Sequence, residues 1–325
     1  YSGGTTLSSG TLQVGNAGVA GTLGALSANV INNGSLIFNR TDALSYSGAF
    51  SGTGALTVQS TGSLTLTGVA SYTGLTTVNS SGNSITYTNN TPPTTSGFAG
   101  AGTVTIQPAT GSTFTNAYTT NYTYASTLTG LTLGVNATTH TQAITLGSAI
   151  SIAGPITVYG GDITLANNLT SSSAGAAIKL LAMGSITSNT ASNTVTTNGG
   201  AVLFASDTDG NNSGKISSGN GLTIDTRTGL SGAKSTTGTG GGAITLAGGD
   251  QAGTGYAAGL SAADATGIRV DNGLWLYSGG GDIAMRGKSW AGAVGSGGAA
   301  WGIGFWNGCD EAGENCKAPY LAFKN

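Results

Sequence analysis

The feature that most constrains this chain is a short recurring pattern, in which a glycine precedes two aliphatic residues separated by one small or polar residue. Examples are Ile163-Thr164-Leu165 and Ile244-Thr245-Leu246. Successive side chains of a β-strand point to opposite faces, so each example places two aliphatic side chains on one face. The pattern therefore predicts many short strands. In each strand the aliphatic residues, such as Ile244, point inward, and the polar residue between them, such as Thr245, points outward.

The spacing of these strands predicts how they are assembled. Gly200, Gly221 and Gly242 each precede a strand pattern and are separated by 21 residues. Short strands at a fixed period of about twenty residues are typical of a solenoid. We therefore expect an all-β fold, a parallel β-helix, with polar corners at segments such as Asn32-Asn33-Gly34 and Asn167-Asn168.

Composition excludes several other classes of protein. Of 325 residues, 58 are glycine and only 7% are charged, and no Asp, Glu, Lys or Arg occurs from Ala43 to Gly161. The ordered aliphatic pairs argue against disorder. Ten scattered basic residues and a net charge of -2 provide no stripe for nucleic acid. No apolar run approaches the ~20 residues of a membrane-spanning helix.

Two segments resemble bacterial exported proteins. The stretch from Gly54-Ala-Leu-Thr-Val58 to Val78 resembles the autotransporter-associated β-strand repeat of surface passengers, and residues 130–163 resemble filamentous-haemagglutinin-like exoproteins. Together the resemblances cover most of residues 1 to about 285. They imply a right-handed β-helix outside a Gram-negative cell that serves as an adhesin, a matrix component or a display stalk. They carry over no catalytic or binding residue.

The carboxyl-terminal part departs from the repeat pattern. We expect a solenoid over residues 1–285 and a Trp/Gly-rich cap or interaction segment over residues 286–325. The tryptophans concentrate near this end: Trp275, Trp290, Trp301 and Trp306. Bulky aromatic side chains that cover the last coil are one interpretation. Platforms that stack on sugar rings, or an apolar patch that docks another subunit, are the alternatives.

Cys309 and Cys316 are the only cysteines of the chain. With no other cysteine to compete, a disulfide that closes the loop between them is predicted, and it would suit an oxidising extracellular compartment. Each thiol could instead pair with another chain. Metal ligation is disfavoured because His140 is the only histidine and no further cysteine is present.

A calcium-loop pattern is the one cofactor site that the sequence offers. Asp207, Asp209 and Asn211 alternate as they do at the start of a calcium-binding loop. The glycine is misplaced, however, and Ser218 stands where a bidentate glutamate is required. A polar corner insertion is the alternative, and no other cofactor is expected.

Catalysis finds little support in the residues. His140 lies among threonines with no acid nearby, which disfavours a Ser/His/Asp site. Polysaccharide lyases and hydrolases use this fold but need clustered carboxylates. Asp162 and Asp282 share a Gly-Asp-Ile context, while Asp225 with Arg227 and Asp250 are isolated. We therefore predict a protein that is not an enzyme, with a polysaccharide-degrading β-helix enzyme as the less favoured alternative.

The function favoured by these residues is structural and adhesive. We expect a secreted or surface-displayed adhesin passenger segment whose partners are a host or neighbouring-cell surface, glycans or matrix polysaccharide. The alternative is a fibre or matrix subunit, as in a biofilm, that polymerises end to end, because the end coils of a solenoid expose unpaired strand edges.

Overall fold

The computed structural model describes residues 2–137, 140–189, 192–229, 240–292, 301–306 and 321–324. Regular secondary structure in these residues consists of β-strands. The chain forms two compact units. Unit 1 comprises residues 1–142 and 152–154, and unit 2 comprises residues 143–151 and 155–325.

The strands of unit 1 other than β13 form three parallel sheets within the unit. Their orders are β1-β3-β6, β2-β4-β7-β9-β11-β14 and β5-β8-β10-β12-β15. The strands are β1 (Thr5–Leu7), β2 (Thr11–Gly18), β3 (Val30–Asn32), β4 (Ser35–Arg40), β5 (Ala43–Tyr46), β6 (Phe50–Ser51), β7 (Ala55–Gln59), β8 (Ser63–Leu66), β9 (Thr76–Val78), β10 (Ser84–Thr88), β11 (Gly97–Gly100), β12 (Thr103–Gln107), β13 (Tyr118–Thr119), β14 (Thr123–Tyr124) and β15 (Gly130–Leu133).

Between β3 and β12 the chain of unit 1 returns to the same sheet about every twenty residues. Ala43 of β5 pairs with Ser63 of β8, 20 positions later, and Ser63 pairs with Ser84 of β10, 21 positions later. Leu64 and Ile85 are therefore neighbours in one inward row and are both buried. Burial of each such side chain stabilises the fold by about 1.5–3 kcal/mol. These parallel sheets are consistent with the expected β-helix.

Asparagine and glycine form the corners as the sequence predicts. The Oδ1 atom of Asn32 accepts a hydrogen bond from the Gly34 N–H at 3.1 Å. Asn33 Oδ1 accepts one from the Thr53 N–H, also at 3.1 Å, 20 residues further along the chain. A Cβ atom at Gly54 would lie 2.2 Å from the Gly34 carbonyl oxygen, so the backbones approach too closely for any other residue.

An aromatic cluster fills part of the unit 1 core. The Tyr72 hydroxyl hydrogen-bonds with Thr76 at 2.6 Å and with the hydroxyl of Tyr87. Phe98 packs edge-on against the rings of Tyr87 and Tyr122. Burial raises the pKa of Tyr72 to about 12. The hydroxyls are thus satisfied within the core and remain protonated at neutral pH.

Arg40 ties a loop onto unit 1 near its amino end. The buried guanidinium of Arg40 donates hydrogen bonds to the carbonyl oxygens of Val19 and Gly21 and pairs with Asp42 at 2.7 Å. The Leu23 N–H donates to the Tyr46 hydroxyl at 2.6 Å. Arg40 at the end of β4 and Tyr46 in β5 therefore together hold the loop that joins β2 to β3.

Unit 2 also consists of parallel sheets. Their orders are β16-β19-β22-β25-β29-β33, β18-β21-β24-β27-β31, β17-β20-β23-β26-β30-β34 and β28-β32. The strands that begin in this unit are β16 (Ile144–Leu146), β17 (Ile150–Ile152), β18 (Ile156–Gly160), β19 (Ile163–Leu165), β20 (Leu169–Ala174), β21 (Ile178–Ala182), β22 (Ile186–Ser188), β23 (Asn193–Asn198), β24 (Val202–Ser206), β25 (Ile216–Ser217), β26 (Leu222–Asp225), β27 (Ile244–Gly248), β28 (Ala257–Ala258), β29 (Ile268–Asp271), β30 (Leu274–Tyr277), β31 (Ile283–Met285), β32 (Gly287–Lys288), β33 (Ile303–Trp306) and β34 (Leu321–Lys324).

The inward and outward positions of unit 2 follow the predicted alternation, but the steps from Gly200 to Gly242 do not follow the predicted period. Ile244 and Leu246 are fully buried, whereas Thr245 is half-buried. Val202 pairs with Ile244, 42 positions later. The predicted step of 21 residues is therefore wrong between Gly200 and Gly242, because Gly221 precedes a strand of a different sheet.

Insertions lengthen the later coils of unit 2, so that more residues separate one strand from the next strand of the same sheet. Ile156 pairs with Ile178, 22 positions later, whereas Leu222 pairs with Leu274, 52 positions later. Two insertions of described residues are 207–215, between β24 and β25, and 249–267, which carries β28. Within the predicted cap at residues 286–325, β33 pairs with β29 and β34 pairs with β30. The boundary at residue 286 stays a prediction.

Candidate interaction surfaces

The outer face of one unit 1 sheet carries a row of hydroxyl side chains. The row runs across β5, β8, β10, β12 and β15 and consists of Ser45, Thr65, Thr86, Thr105 and Thr132. Paired strands lie about 4.8 Å apart, so the hydroxyls recur at that spacing. The row lies in the stretch that has no Asp, Glu, Lys or Arg. It offers hydrogen-bond donors and acceptors without charge.

A second hydroxyl row lies on unit 2 and forms the floor of a groove. Thr164 of β19 pairs with Thr187 of β22, and both side chains are outward and half-buried. The groove has a volume of about 440 Å³. Its rim includes Asp162, Ser185 and Lys215. Sequence reasoning missed this groove because its parts come from separate coils and an insertion.

The rim of the groove is held by specific contacts. The Ser185 N–H donates to Asp162 Oδ1 at 2.7 Å, and the Lys215 N–H donates to Ser185 Oγ at 3.3 Å. A Cβ atom at Gly184 would lie 2.3 Å from that Asp162 oxygen, so glycine makes room for the carboxylate. The Lys215 ammonium pairs with Asp264 of the second insertion.

The first insertion is closed by its own backbone. Asp207 is buried with φ of 53°, and its Oδ1 accepts hydrogen bonds from the N–H groups of Asn212 and Ser213 at 3.0 and 3.3 Å. Burial raises the pKa of the Asp207 carboxyl, although these two hydrogen bonds and the charge of Lys288 oppose the shift. The Lys288 ammonium also donates to Asn212 Oδ1.

The three calcium candidates make different contacts in this insertion. Asp209 Oδ2 accepts a hydrogen bond from the Asn211 side chain at 2.8 Å, while Asp207 bonds to the backbone. Among the described residues, no three His, Cys, Asp or Glu side chains form a group that could hold a metal ion. Calcium binding through Asp207, Asp209 and Asn211 stays a prediction.

An aromatic pair lies on another outer face of unit 2. Trp275 and Tyr277 are both outward and half-buried on β30. The Arg227 guanidinium lies 4.7 Å from the centre of the Tyr277 ring and is held by Asp225 at 3.0 and 2.8 Å. A Cβ atom at Gly273 would lie 2.5 Å from the Trp275 ring, so the indole packs closely on that glycine.

The remaining aromatic and cysteine candidates are placed only in part. Trp290 is half-buried, and its backbone N–H donates to the Ala265 carbonyl at 2.9 Å. Trp301 is 55% exposed. The side chain of Trp306 lies outside the described residues, as do Cys309 and Cys316. The cap and the disulfide therefore stay predictions.

The structure does not assemble the residues considered for catalysis. His140 is buried, packs edge-on against Phe114 at 5.2 Å and has its Nδ1 atom 3.3 Å from Thr113 Oγ1. Asp162 precedes β19, whereas Asp282 precedes β31 of another sheet. Their shared Gly-Asp-Ile context therefore does not align the two carboxylates in one row.

The carboxylates of Asp225 and Asp250 each have local partners. Asp225 pairs with Arg227 at 2.8 Å. Asp250 accepts a hydrogen bond from the Thr254 N–H at 2.9 Å, and contacts with Thr254 lower the pKa of the Asp250 carboxyl. A hydrogen-bonded carboxylate with a lowered pKa is a poor proton donor at neutral pH.

The parallel sheets and their hydroxyl-bearing outer faces are consistent with a β-helical repeat protein. Over 54 residues the chain is 50% identical to the adhesin BmaC autotransporter of Brucella suis biovar 1 (strain 1330). The match covers 17% of this chain and 2% of that protein. No family model and no solved structure matches the chain. In the described residues, no helix is long and apolar enough to cross a membrane.

Proposed function

We propose that this chain is a passenger segment of an autotransporter-type adhesin, displayed on or secreted from a bacterial cell, and that it acts without catalysis. The observation that carries the proposal is the 54-residue similarity to an autotransporter adhesin. The parallel sheets support it, because β-helical repeats build surface rather than deep active sites. Right-handed winding of these sheets is part of the proposal, since parallel crossover connections are nearly always right-handed.

Adhesion would arise from many similar polar contacts. The hydroxyl row through Thr65, Thr86 and Thr105 repeats one donor and acceptor group on successive strands. When several such contacts form together, their combined avidity exceeds the affinity of any single contact. The proposed partners are a host or neighbouring-cell surface that presents glycans or matrix polysaccharide. The aromatic residues near the carboxyl end provide further contact area.

Bead adhesion tests this function. Beads coated with the full chain are expected to bind cultured epithelial cells saturably, and soluble chain should compete. Replacing Thr65, Thr86 and Thr105 together by Val removes the hydroxyls but keeps side-chain shape, so adhesion should fall. The matched control replaces the same three residues by Ser and should retain adhesion.

Three results would contradict the adhesin proposal or redirect it. Beads that bind no better than albumin-coated beads would refute adhesion to the cells tested. Growth of the chain into sedimenting fibres with rising concentration, without cell binding, would favour the self-assembling fibre or matrix subunit. Release of new reducing ends from a polysaccharide panel would favour the enzyme.

A further inference from the structure

We infer that the groove over Thr164 and Thr187 in unit 2 is a binding site for a neutral oligosaccharide. This inference rests on the proposed adhesive function and deepens it by naming a site and a ligand class. The groove volume of about 440 Å³ lies within the usual range of small-molecule sites, about 300–1,000 Å³. Asp162, Lys215 and Leu260 border the groove.

The floor of the groove disfavours a peptide strand as the ligand. Residues 163–165 of β19 pair in parallel with β16 on one side and with β22 on the other. Their backbone groups are therefore used within the sheet, and strand addition requires a free sheet edge. What the floor presents to solvent is side chains, with Thr164 and Thr187 as its hydroxyls.

The chemistry of the lining matches a sugar. The hydroxyls of Thr164, Thr187, Ser185 and Ser213 each donate one hydrogen bond and accept others, as sugar hydroxyls do. The side chain of Leu260, 36% exposed, adds an apolar contact for the C–H face of a ring. A hydroxyl-rich ligand with apolar ring faces is complementary to both features.

The charges of the rim favour a neutral ligand over an anionic one. The Lys215 ammonium is already paired with the Asp264 carboxylate. The Asp162 carboxylate accepts the Ser185 N–H and adds a negative charge at the same rim. An anionic polymer such as a sulfated glycan would meet this carboxylate without a free cation in the described lining of the groove.

The walls are fixed before a ligand arrives. Hydrogen bonds from the Asn212 and Ser213 N–H groups to Asp207 shape the first insertion, and Gly214 forms a bridge with Ala258 of β28. The Lys215–Asp264 pair joins the first insertion to the second. Groups held in place in this way lose less entropy on binding, which strengthens the affinity for the matching ligand.

Titration of the full 325-residue chain with defined sugars tests the inference. The probes are cellotriose, maltotriose and tri-N-acetylchitotriose, with a heparin-derived hexasaccharide as the anionic comparison, followed by saturation-transfer NMR. The groove variant combines Thr164→Val with Thr187→Val. The matched control combines Thr57→Val with Thr77→Val, a paired outward couple on β7 and β9 of unit 1.

We expect at least one neutral trisaccharide to bind the wild type and the control variant with equal affinity. The same sugar should bind the groove variant at least about tenfold more weakly. Binding of none of the three, equal binding by both variants, or tighter groove-dependent binding of the anionic hexasaccharide would overturn the inference. Thermal melting checks the folding of each variant. If the groove variant does not fold, Leu260→Ala on the exposed rim takes its place with the same expectation.

The bead assay separates this inference from the proposed function. If the wild-type chain adheres to cells and the groove variant adheres equally, with no sugar bound by either, then the groove inference fails and the adhesin proposal stands. If a trisaccharide binds the groove but beads do not adhere, the site is real and the adhesin proposal fails.

Discussion

Leu246 provides the most direct test of the inward register in unit 2. Its side chain is fully buried, and in the register of the sheet its neighbours are Phe204 and Met285. Leu246→Ala removes buried apolar groups and leaves a cavity, which destabilises proteins by about 2–5 kcal/mol. Because β24 and β31 pair with β27 on its two sides, the cavity has little room to collapse, and we expect a loss of about 3 kcal/mol. Thr245→Ala, on the outward face of the same strand, should change stability by less than about 1 kcal/mol.

Hydrogen exchange with mass spectrometry measures this difference locally. In a repeat protein each coil depends mainly on its neighbours, so Leu246→Ala should lower protection in peptides that contain β24, β27 and β31. Peptides from unit 1 serve as the internal reference. Equal loss of protection in the two variants, or a larger loss in Thr245→Ala, would refute the register.

Three further predictions concern ionisable and charged groups. The pKa of the Asp207 carboxyl is raised in the folded state above its unfolded value near 3.8. The protonated carboxyl therefore contributes stability below that pH, and this contribution is lost as the pH rises. Asp207→Asn should raise the melting temperature more at pH 7 than at pH 4. If the loop binds calcium instead, added calcium should stabilise the wild type and not the variant. Arg40→Gln leaves the carbonyls of Val19 and Gly21 without their donor, which should lower stability by about 1–3 kcal/mol and create protease cleavage sites in residues 19–28, detected by mass spectrometry. Burial raises the pKa of Tyr72 to about 12, so unit 1 should keep its stability up to about pH 10 and lose it towards pH 12. The tyrosinate absorbance that the wild type shows and Tyr72→Phe lacks should appear only together with unfolding.

The local structure could be predicted from sequence because it depends on neighbouring residues. The alternation of Ile244, Thr245 and Leu246 specifies which side chains point inward, and the structure confirms it. Asparagine at a corner is recognisable for the same reason, as Asn33 shows by bonding to Thr53 one coil later. Both inferences require only the geometry of a strand or a turn.

The path of the chain between strands was harder to predict. Gly200 and Gly242 precede strands of the same sheet, but Gly221 between them precedes a strand of another sheet, so equal spacing in sequence did not mean equal position in space. The groove was missed for a related reason. Asp162, Ser185 and Lys215 each directly precede a paired strand of one sheet, so the strand register brings them to one side of the groove. The step from Ile186 to Ile216 contains an insertion, and no local pattern of the sequence predicts that these two strands are paired.

The near-constant step between β3 and β12 of unit 1 has a consequence for how such a gene can change. Ser35 pairs with Ala55 and Ala43 pairs with Ser63, each 20 positions apart, so successive coils present matching edges to each other. An in-frame duplication or deletion of the 20 residues of one coil would place the strands of the flanking coils in the same register. The inward-pointing residues would then still point inward. Length can therefore vary by whole coils between descendants while the fold persists, a form of inheritance that a globular domain with a single closed core does not permit.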